Sequence, residues 1–259
     1  MNDTRWLLIG ADRRLQECAR IFKEKNLDVA VFPHDDVTDY LQEKIEKFRP
    51  THIVLPIQGL KNELPVQLFK PNTVFCGGII SDDQKAKLLE AGHSIFIYLT
   101  DERFVWNNAH LTAEGFLKEF YNETEDPIKG TSFQLAGFGR VGRMVAHTLG
   151  AAGAKLTVFA RSETQLGEAE ALGFEVKKLE PNIEFQSGYM INTIPAQWLS
   201  IPKEGTLRVF DLASKPGCLK PGMSSAYYTL HLGLPGKHFP QQAASYLAES
   251  ILRMCRGKE

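Results

Sequence analysis

The sequence predicts an α/β protein of two domains, each a parallel sheet with helices on both faces, with a cleft between the domains. Three observations carry that expectation. Short β-rich runs alternate with helix-patterned segments along almost the whole chain, the rhythm of parallel sheets. A linker at residues 125–130, EDPIKG, sets Pro127 and Gly130 between two such stretches. Residues 131–162 then read TSFQLAGFGRVGRMVAHTLGAAGAKLTVFARS: an apolar strand, a Gly137-x-Gly139-x-x-Gly142 turn, a helix and a second strand. Both halves are therefore expected to be Rossmann-like. The boundaries fall at 1–127 for an N-terminal α/β domain on the substrate side and 128–239 for the nucleotide-binding domain. Residues 240–259 form a C-terminal helix packing back toward the N-terminal domain.

Taken in order, residues 5–9 (RWLLI) read as a strand, and 13–25 (RRLQECARIFKEK) place apolar residues at helical spacing. A second strand is expected at 27–32, a helix at 38–48 and a third strand at 52–55. Residues 74–76, before Gly77 and Gly78, and residues 94–98 supply two more short apolar runs, and 103–122 reads as one long helix. The second half offers strands at 131–136, 155–160, 174–178, 188–193 and 206–211, and a final amphipathic helix at about 240–256.

Composition excludes several function classes. Over 259 residues, 30 basic side chains face 31 acidic ones and are scattered, so no field draws nucleic acid or an anionic membrane. Cys18, Cys76, Cys218 and Cys255 lie far apart, with no C-x-x-C and no His at ligand spacing. They read as incidental thiols in a reducing compartment, neither a disulfide frame nor a zinc site, and no metal is expected. The first residues hold too short an apolar run for a signal peptide, and nothing reaches the length of a membrane span; a soluble, cytoplasmic protein is expected.

The glycine turn carries the chemistry. Gly137 permits the tight turn, Gly139 lets backbone approach a pyrophosphate, and Gly142 lets the helix pack close to the strand with its N–H groups aimed at the anion. About twenty residues on, where an Asp or Glu selects NAD, the chain reads Ala160-Arg161-Ser162. A carboxylate there would repel a 2′-phosphate, whereas Arg161 and Ser162 would bind one, so the expected cofactor is NADP. Further strand ends bear on the same site. Residues 191–195 (INTIP) end at Pro195 where a dinucleotide would run, or form an ordinary strand-to-helix turn. Residues 210–217 (FDLASKPG) set small side chains at 213, 214 and 217, room for a flat ring.

His231 precedes a dense Gly233-x-Pro235-Gly236 turn, with Lys237 as a cation for a carboxylate or as a solvated surface residue. Arg13 and Arg14 open a helix, a place unfavourable for cations, which hints at an anionic partner, whether ligand or carboxylate side chain. In the long helix, Thr112 and Glu114 belong to a polar patch that would face the cleft; Glu114 paired with Lys118 explains it equally.

Together these segments resemble the A subunit of bacterial dipicolinate synthase, a relative of the D-2-hydroxyacid dehydrogenases. The matching pieces are GADRR at 10–14, LPIQG at 55–59, TAEG at 112–115, GFGRVG at 137–142, ARS at 160–162, INTIP at 191–195, DLASKPG at 211–217 and LPGKHFP at 234–240. They occur in the family's order over nearly the whole chain. Cys218 departs from the pattern, standing where a second glycine follows the Pro-Gly pair, as does QQAAS at 241–245.

The resemblance implies NADP-dependent oxidation of dihydrodipicolinate to dipicolinate during sporulation, in the mother-cell cytoplasm. It also implies, as partner, the flavoprotein-like B subunit of dipicolinate synthase, and a homo-oligomer is expected. It would have Gly137, Gly139, Arg140, Val141 and Gly142 hold the pyrophosphate, and Arg161 and Ser162 the 2′-phosphate. Thr193, Ile194 and Pro195, with Ala213 and Ser214, would line the nicotinamide side, and Asp12, Arg14, Thr112, Glu114 and Lys237 would face the substrate.

On chemical grounds a diacid needs two cationic anchors, for which Arg14 and Lys237, one per domain, are the candidates. Glu114, Asp12 or His231 could take the proton, His231 being best by intrinsic pKa. Two other readings stand beside this one. A 2-hydroxyacid dehydrogenase acting on another small acid would want an Arg and a His–Glu relay, and neither is evident after the glycine turn. The other is an NADP-binding regulatory protein without catalysis.

Overall fold

The protein, described from a computed structural model, is seen over residues 4–181, 183, 185, 187–201 and 206–256. The chain runs β1 (Arg5–Ile9), α1 (Arg13–Glu24), β2 (Asp28–Phe32), α2 (Asp39–Phe48), β3 (His52–Val54), β4 (Val74–Gly77), α3 (Asp82–Glu90), β5 (Ser94–Ile97) and the long α4 (Glu102–Glu123). It continues through β6 (Ser132–Ala136), α5 (Arg140–Ala151), β7 (Lys155–Ala160), α6 (Glu163–Ala171), β8 (Glu175–Lys178), β9 (Gly188–Asn192), β10 (Leu207–Asp211) and β11 (Tyr228–Leu230). Two helices close the described chain, α7 (Leu234–His238) and α8 (Pro240–Arg256).

Two units result, each with one all-parallel sheet. The first comprises Met1–Asn108 with Gly236–Glu259, the second Ala109–Pro235. The division falls inside α4 and just before Gly236, whereas the sequence reading set it at 127 and 239. Lys237 consequently lies in the same unit as Arg14, which corrects the expectation of one cationic anchor per domain.

The first unit's sheet has the order β2-β1-β3-β4-β5. Its core follows from the two-residue period of strands. Trp6 and Leu8 face one side with Val54 and Cys76, covered by Leu15, Cys18, Ala19 and Phe22 of α1 and by Leu247 and Ile251 of α8. Leu7 and Ile9 face the other side, against Leu41 and Ile45 of α2 and Leu88 of α3. The second unit's sheet is ordered β11-β10-β9-β6-β7-β8. Phe116 and Phe120 of α4 pack edge-on against Phe133 and Phe210 of its strands, joined by Val145 and Leu149 of α5.

The strands at 5–9 and 155–160 occupy the residues expected, and the other expected strands agree to within a residue or two. Three departures have physical reasons. Helices α3 and α6 are nine residues each, short and polar, with few apolar positions from which to read a period. Strand β11 has only three residues, held in the sheet by pairing with β10. Residues 233–236 do not form a turn alone, since Leu234–His238 is a short helix. Pro235 sits in its first turn, where a missing N–H costs nothing.

Asp101 ties α8 to the rest of the first unit. Its Oδ1 accepts from the Arg103 N–H at 3.1 Å, and its Oδ2 accepts from Ser250 Oγ at 2.6 Å and from the Arg253 guanidinium. Burial raises the Asp101 pKa, but the Ser250 hydroxyl and the Arg253 charge outweigh it and hold the carboxyl below its ordinary 3.8. A carboxyl with a folded pKa below its unfolded one contributes stability above the unfolded value and loses it as pH falls through the folded one. Asp101→Asn should therefore cost about 1–3 kcal/mol in urea unfolding at pH 7, and the gap to the unsubstituted protein should shrink toward pH 3. A gap independent of pH would show that the carboxylate charge has no part in holding α8.

Candidate functional site

Relabelled from β6 onward, the second sheet has the order 3-2-1-4-5-6. In such a sheet the crevice between the first and fourth strands takes the dinucleotide, at their carboxyl ends. Here those strands are β6 and β9, and the glycine turn lies there. Gly137 has φ +93, and a Cβ on it would meet Thr193 Oγ1 at 2.5 Å. A Cβ on Gly142 would come within 2.2 Å of the Gly137 carbonyl oxygen, so α5 can lie on the turn only without a side chain there. Gly139 differs: its backbone is extended, nothing lies within 4 Å of a Cβ on it, and no side chain caps α5 at this residue. The turn is closed at 137 and 142 and open at 139. The first N–H groups of α5 face this open turn, where an anion brought in over Gly139 would meet them. The residues thus fit the pyrophosphate of a dinucleotide.

The rest of the crevice is fixed by a buried polar pair. Asn192, last residue of β9, and Asp211, last of β10, are both fully buried. Asn192 Nδ2 donates to Asp211 Oδ1 at 2.7 Å and to the Ile194 carbonyl at 3.0 Å, while Asn192 Oδ1 accepts from the Ile194 N–H at 3.1 Å. Asp211 also accepts from the N–H groups of Ala213 and Cys218 and from the Tyr228 hydroxyl on β11. Burial, then the hydrogen bond to Asp211, raises the Tyr228 pKa above the usual phenol range, so the hydroxyl stays a donor. These bonds set the backbone of Thr193, Ile194 and Pro195 and of Ala213 and Ser214, the residues expected along the nicotinamide. Thr193 is held further by its N–H and hydroxyl, both donating to the Ala136 carbonyl, at 2.9 and 3.0 Å. The sequence reading named Asn192 and Asp211 only as parts of their segments; a polar residue ending each of two adjacent buried strands was the signal available.

Arg161 and Ser162 follow β7 and are exposed. Ser162 precedes α6 without its side chain capping that helix, so the hydroxyl is not committed there. Beside them is a cavity of about 650 Å³, lined by Arg161, Lys220, Glu180, Ile194, Phe185 and Trp198 among others. Its size and apolar walls suit a nucleoside, with cations at the rim for a phosphate.

In the first unit, order 2-1-3-4-5 puts the switch point between β1 and β3. Asp12 and Arg14 stand there. Asp12 caps α1 by accepting from the Arg14 N–H at 2.9 Å, and its carboxylate grips the Arg14 guanidinium, with Nε 3.0 and 2.9 Å from the two oxygens. For Arg14, the anionic partner that a cation at a helix start calls for is thus Asp12 itself. Arg14 is 7% exposed, and its Nη1 reaches Asn108 Oδ1 at 3.4 Å. Gly236 of α7 lies against this pair, since a Cβ on it would be 3.1 Å from Arg14 Nε and 3.2 Å from Asp12 Oδ1. Asp12 and Arg14 are thus in direct contact, and the exposed Lys237, which follows Gly236 in the same short helix, is the next residue of the segment that lies against them.

Thr112 is buried, one helical turn beyond Asn108 on α4. Glu114 is paired with His110, Oε1 to Nε2 2.9 Å, where the sequence offered Lys118. Both members are near half exposed. His231 is 7% exposed and stacked on Phe210 at 5.6 Å between ring centroids. Its Nε2 is 3.2 Å from Glu123 Oε1 and its Nδ1 3.8 Å from Glu119 Oε2. Glu119, Glu123 and His231 form a group with the size to hold a metal ion, among the described residues. The sequence shows no His–Glu relay after the glycine turn, but the fold brings His231 to Glu119 and Glu123, partners more than a hundred residues earlier and so invisible in the sequence.

No protein-family model matches the chain. The A subunit of dipicolinate synthase from Bacillus subtilis (strain 168) is 28% identical over 171 residues, 61% of this chain and 56% of the relative. The match thus spans a little over half the length of that relative. Among solved structures, the A subunit of dipicolinate synthase from Bacillus halodurans superposes with a TM-score of 0.73 at 24% identity, covering 97% of each chain. The structure of its Bacillus subtilis counterpart gives 0.74 at 22% identity over 100% of this chain and 99% of that one. At these identities the structures establish a shared fold. No helix among the described residues is long and apolar enough to cross a membrane.

The open and closed glycines separate under substitution. Gly142→Ala must push α5 off the turn and should cost about 2–4 kcal/mol in denaturant unfolding. Gly139→Ala should leave stability within about 0.5 kcal/mol while weakening dinucleotide binding in calorimetric titration. Equal destabilisation by both would contradict an open approach at Gly139.

Proposed function

We propose that the protein is an NADP-dependent oxidoreductase converting dihydrodipicolinate, a cyclic diacid, to its aromatic product dipicolinate. The observation that carries this reading is the end of β7. There Arg161 and Ser162 stand where an NAD site carries a carboxylate, and Arg161 lines a nucleoside-sized cavity. The open glycine turn supports it, as does the likeness to the A subunit of dipicolinate synthase over 61% of this chain.

In this reading the cofactor supplies hydride acceptance, and the chain supplies position and charge. The N–H groups of Arg140, Val141 and Gly142 hold the pyrophosphate, and Arg161 and Ser162 hold the 2′-phosphate. Thr193, Ile194, Pro195, Ala213 and Ser214 present fixed backbone to the nicotinamide. Lys237 and the Asp12-held Arg14 take the carboxylates of the diacid, with Thr112 as a polar contact. Asp12 is then a positioning residue rather than the base, because its carboxylate is committed to Arg14 and to the cap of α1. Glu114 takes the ring proton, with His110 hydrogen-bonded to it. His231 stays covered, stacked on Phe210. The proposed partner is a flavoprotein-like B subunit, in keeping with a relative that is itself one subunit of a synthase.

The hydrogen-bonded His110–Glu114 pair favours one other reading, a 2-hydroxyacid dehydrogenase. Turnover of 2-hydroxy acids but not of the dihydropyridine diacid would select it.

Arg161→Asp should reverse the preference for NADP over NAD, changing the ratio of dissociation constants by on the order of 100-fold. Unchanged selectivity would remove Arg161 from the 2′-phosphate site. Lys237→Ala should raise KM for the diacid about tenfold while leaving that for NADP alone. Equal effects on both would take Lys237 out of the substrate site.

A further inference from the structure

Three of the four cysteines, distant in sequence, gather in one apolar cluster of the first unit: Cys18 on α1, Cys76 on β4 and Cys255 in the last turn of α8. Cys76 Sγ and Cys255 Sγ are 3.8 Å apart. The two thiols are not equivalent. Cys76 is buried, whereas Cys255 is partly open to solvent. His52, from β3, also reaches Cys255; its ring packs against Trp6 at 4.3 Å between centroids, and its Nδ1 is 2.9 Å from Thr51 Oγ1. A hydrogen bond from Cys76 and then the His52 ring lower the Cys255 pKa to about 6, against the opposing effect of burial. The bond to Cys255 and burial move Cys76 the other way, well above the ordinary thiol range. A partly exposed thiol with a lowered pKa thus lies 3.8 Å from a buried one with a raised pKa, the arrangement of an attacking and a resolving cysteine.

We propose that Cys255 is an oxidation site for peroxide and that Cys76 resolves it, forming a disulfide that staples the last turn of α8 to β4. The step balances without a metal or the nicotinamide cofactor. The Cys255 thiolate sulfur attacks one peroxide oxygen, the O–O bond breaks and hydroxide leaves, giving a sulfenic acid. Cys76 loses its proton to that hydroxide, and its sulfur displaces hydroxide from the Cys255 sulfur. The second hydroxide takes up the proton that Cys255 released on ionising, so two thiols and one hydrogen peroxide become one disulfide and two waters. The sulfurs would close from 3.8 Å to a bond of about 2.05 Å. The site is independent of the residues proposed for hydride transfer. Because α8 packs on α1 through Leu247 and Ile251, the staple would hold the covering of the helix that Asp12 caps.

The test treats the whole protein with hydrogen peroxide, then counts thiols in denaturant and maps disulfide-linked peptides by mass. The expected result is loss of two of the four thiols, a mass lower by about 2 Da, a single Cys76–Cys255 linkage and full recovery with dithiothreitol. The rate should persist at pH values below the ordinary thiol range, in keeping with the lowered Cys255 pKa. In Cys76→Ser the reaction should halt at a Cys255 sulfenic acid that dimedone captures. Cys255→Ser, altered only in the last turn of α8, should lower the oxidation rate at pH 7 at least tenfold. Retention of four thiols under peroxide that oxidises glutathione would overturn the proposal. So would a linkage through Cys18 or Cys218, a disulfide between chains, or undiminished oxidation of Cys255→Ser.

Discussion

The second unit depends on one buried pair, Asn192 and Asp211. Each ends a central strand, each is sealed from water, and each would be costly alone, since a buried polar group without partners loses its hydration for nothing. Together they bond each other and the backbone of the loops that leave β9 and β10. Tyr228 extends the network to β11, a three-residue strand that is also paired with β10. A fully satisfied network of this kind specifies one arrangement. Here it fixes the loops from 192 to 195 and from 211 to 218, two edges of the crevice at the strand switch point.

The first unit repeats the theme with a charged pair. Arg14 is buried only because Asp12 holds it, and Asp12 is placed because its carboxylate also caps α1. Gly236 lets α7 approach that pair closely, by the absence of a side chain.

How far the sequence could be read follows from what is local. Strand–helix alternation is local, and the β-runs and long helices emerged nearly residue for residue. The glycine turn was equally legible, because its spacing encodes its geometry. What escaped was set by tertiary contact. Asp12 as the partner of Arg14 was available only as an unnamed anion, and the grouping of Lys237 with Arg14 required knowing that the chain returns to the first unit at Gly236. His231 looked like a base, yet Phe210, Glu119 and Glu123 enclose it from distant elements. The meeting of Cys76 and Cys255 likewise joins positions 179 residues apart.

The most direct test of the account is calorimetric titration of the protein with NADP and with NAD, each in the presence and absence of dipicolinate. The account predicts tighter binding of NADP than of NAD by at least tenfold, and an NADP affinity that dipicolinate changes. Equal affinity for the two nucleotides, or no binding of either, would contradict the assignment of Arg161 and Ser162 and, with it, the proposed oxidation.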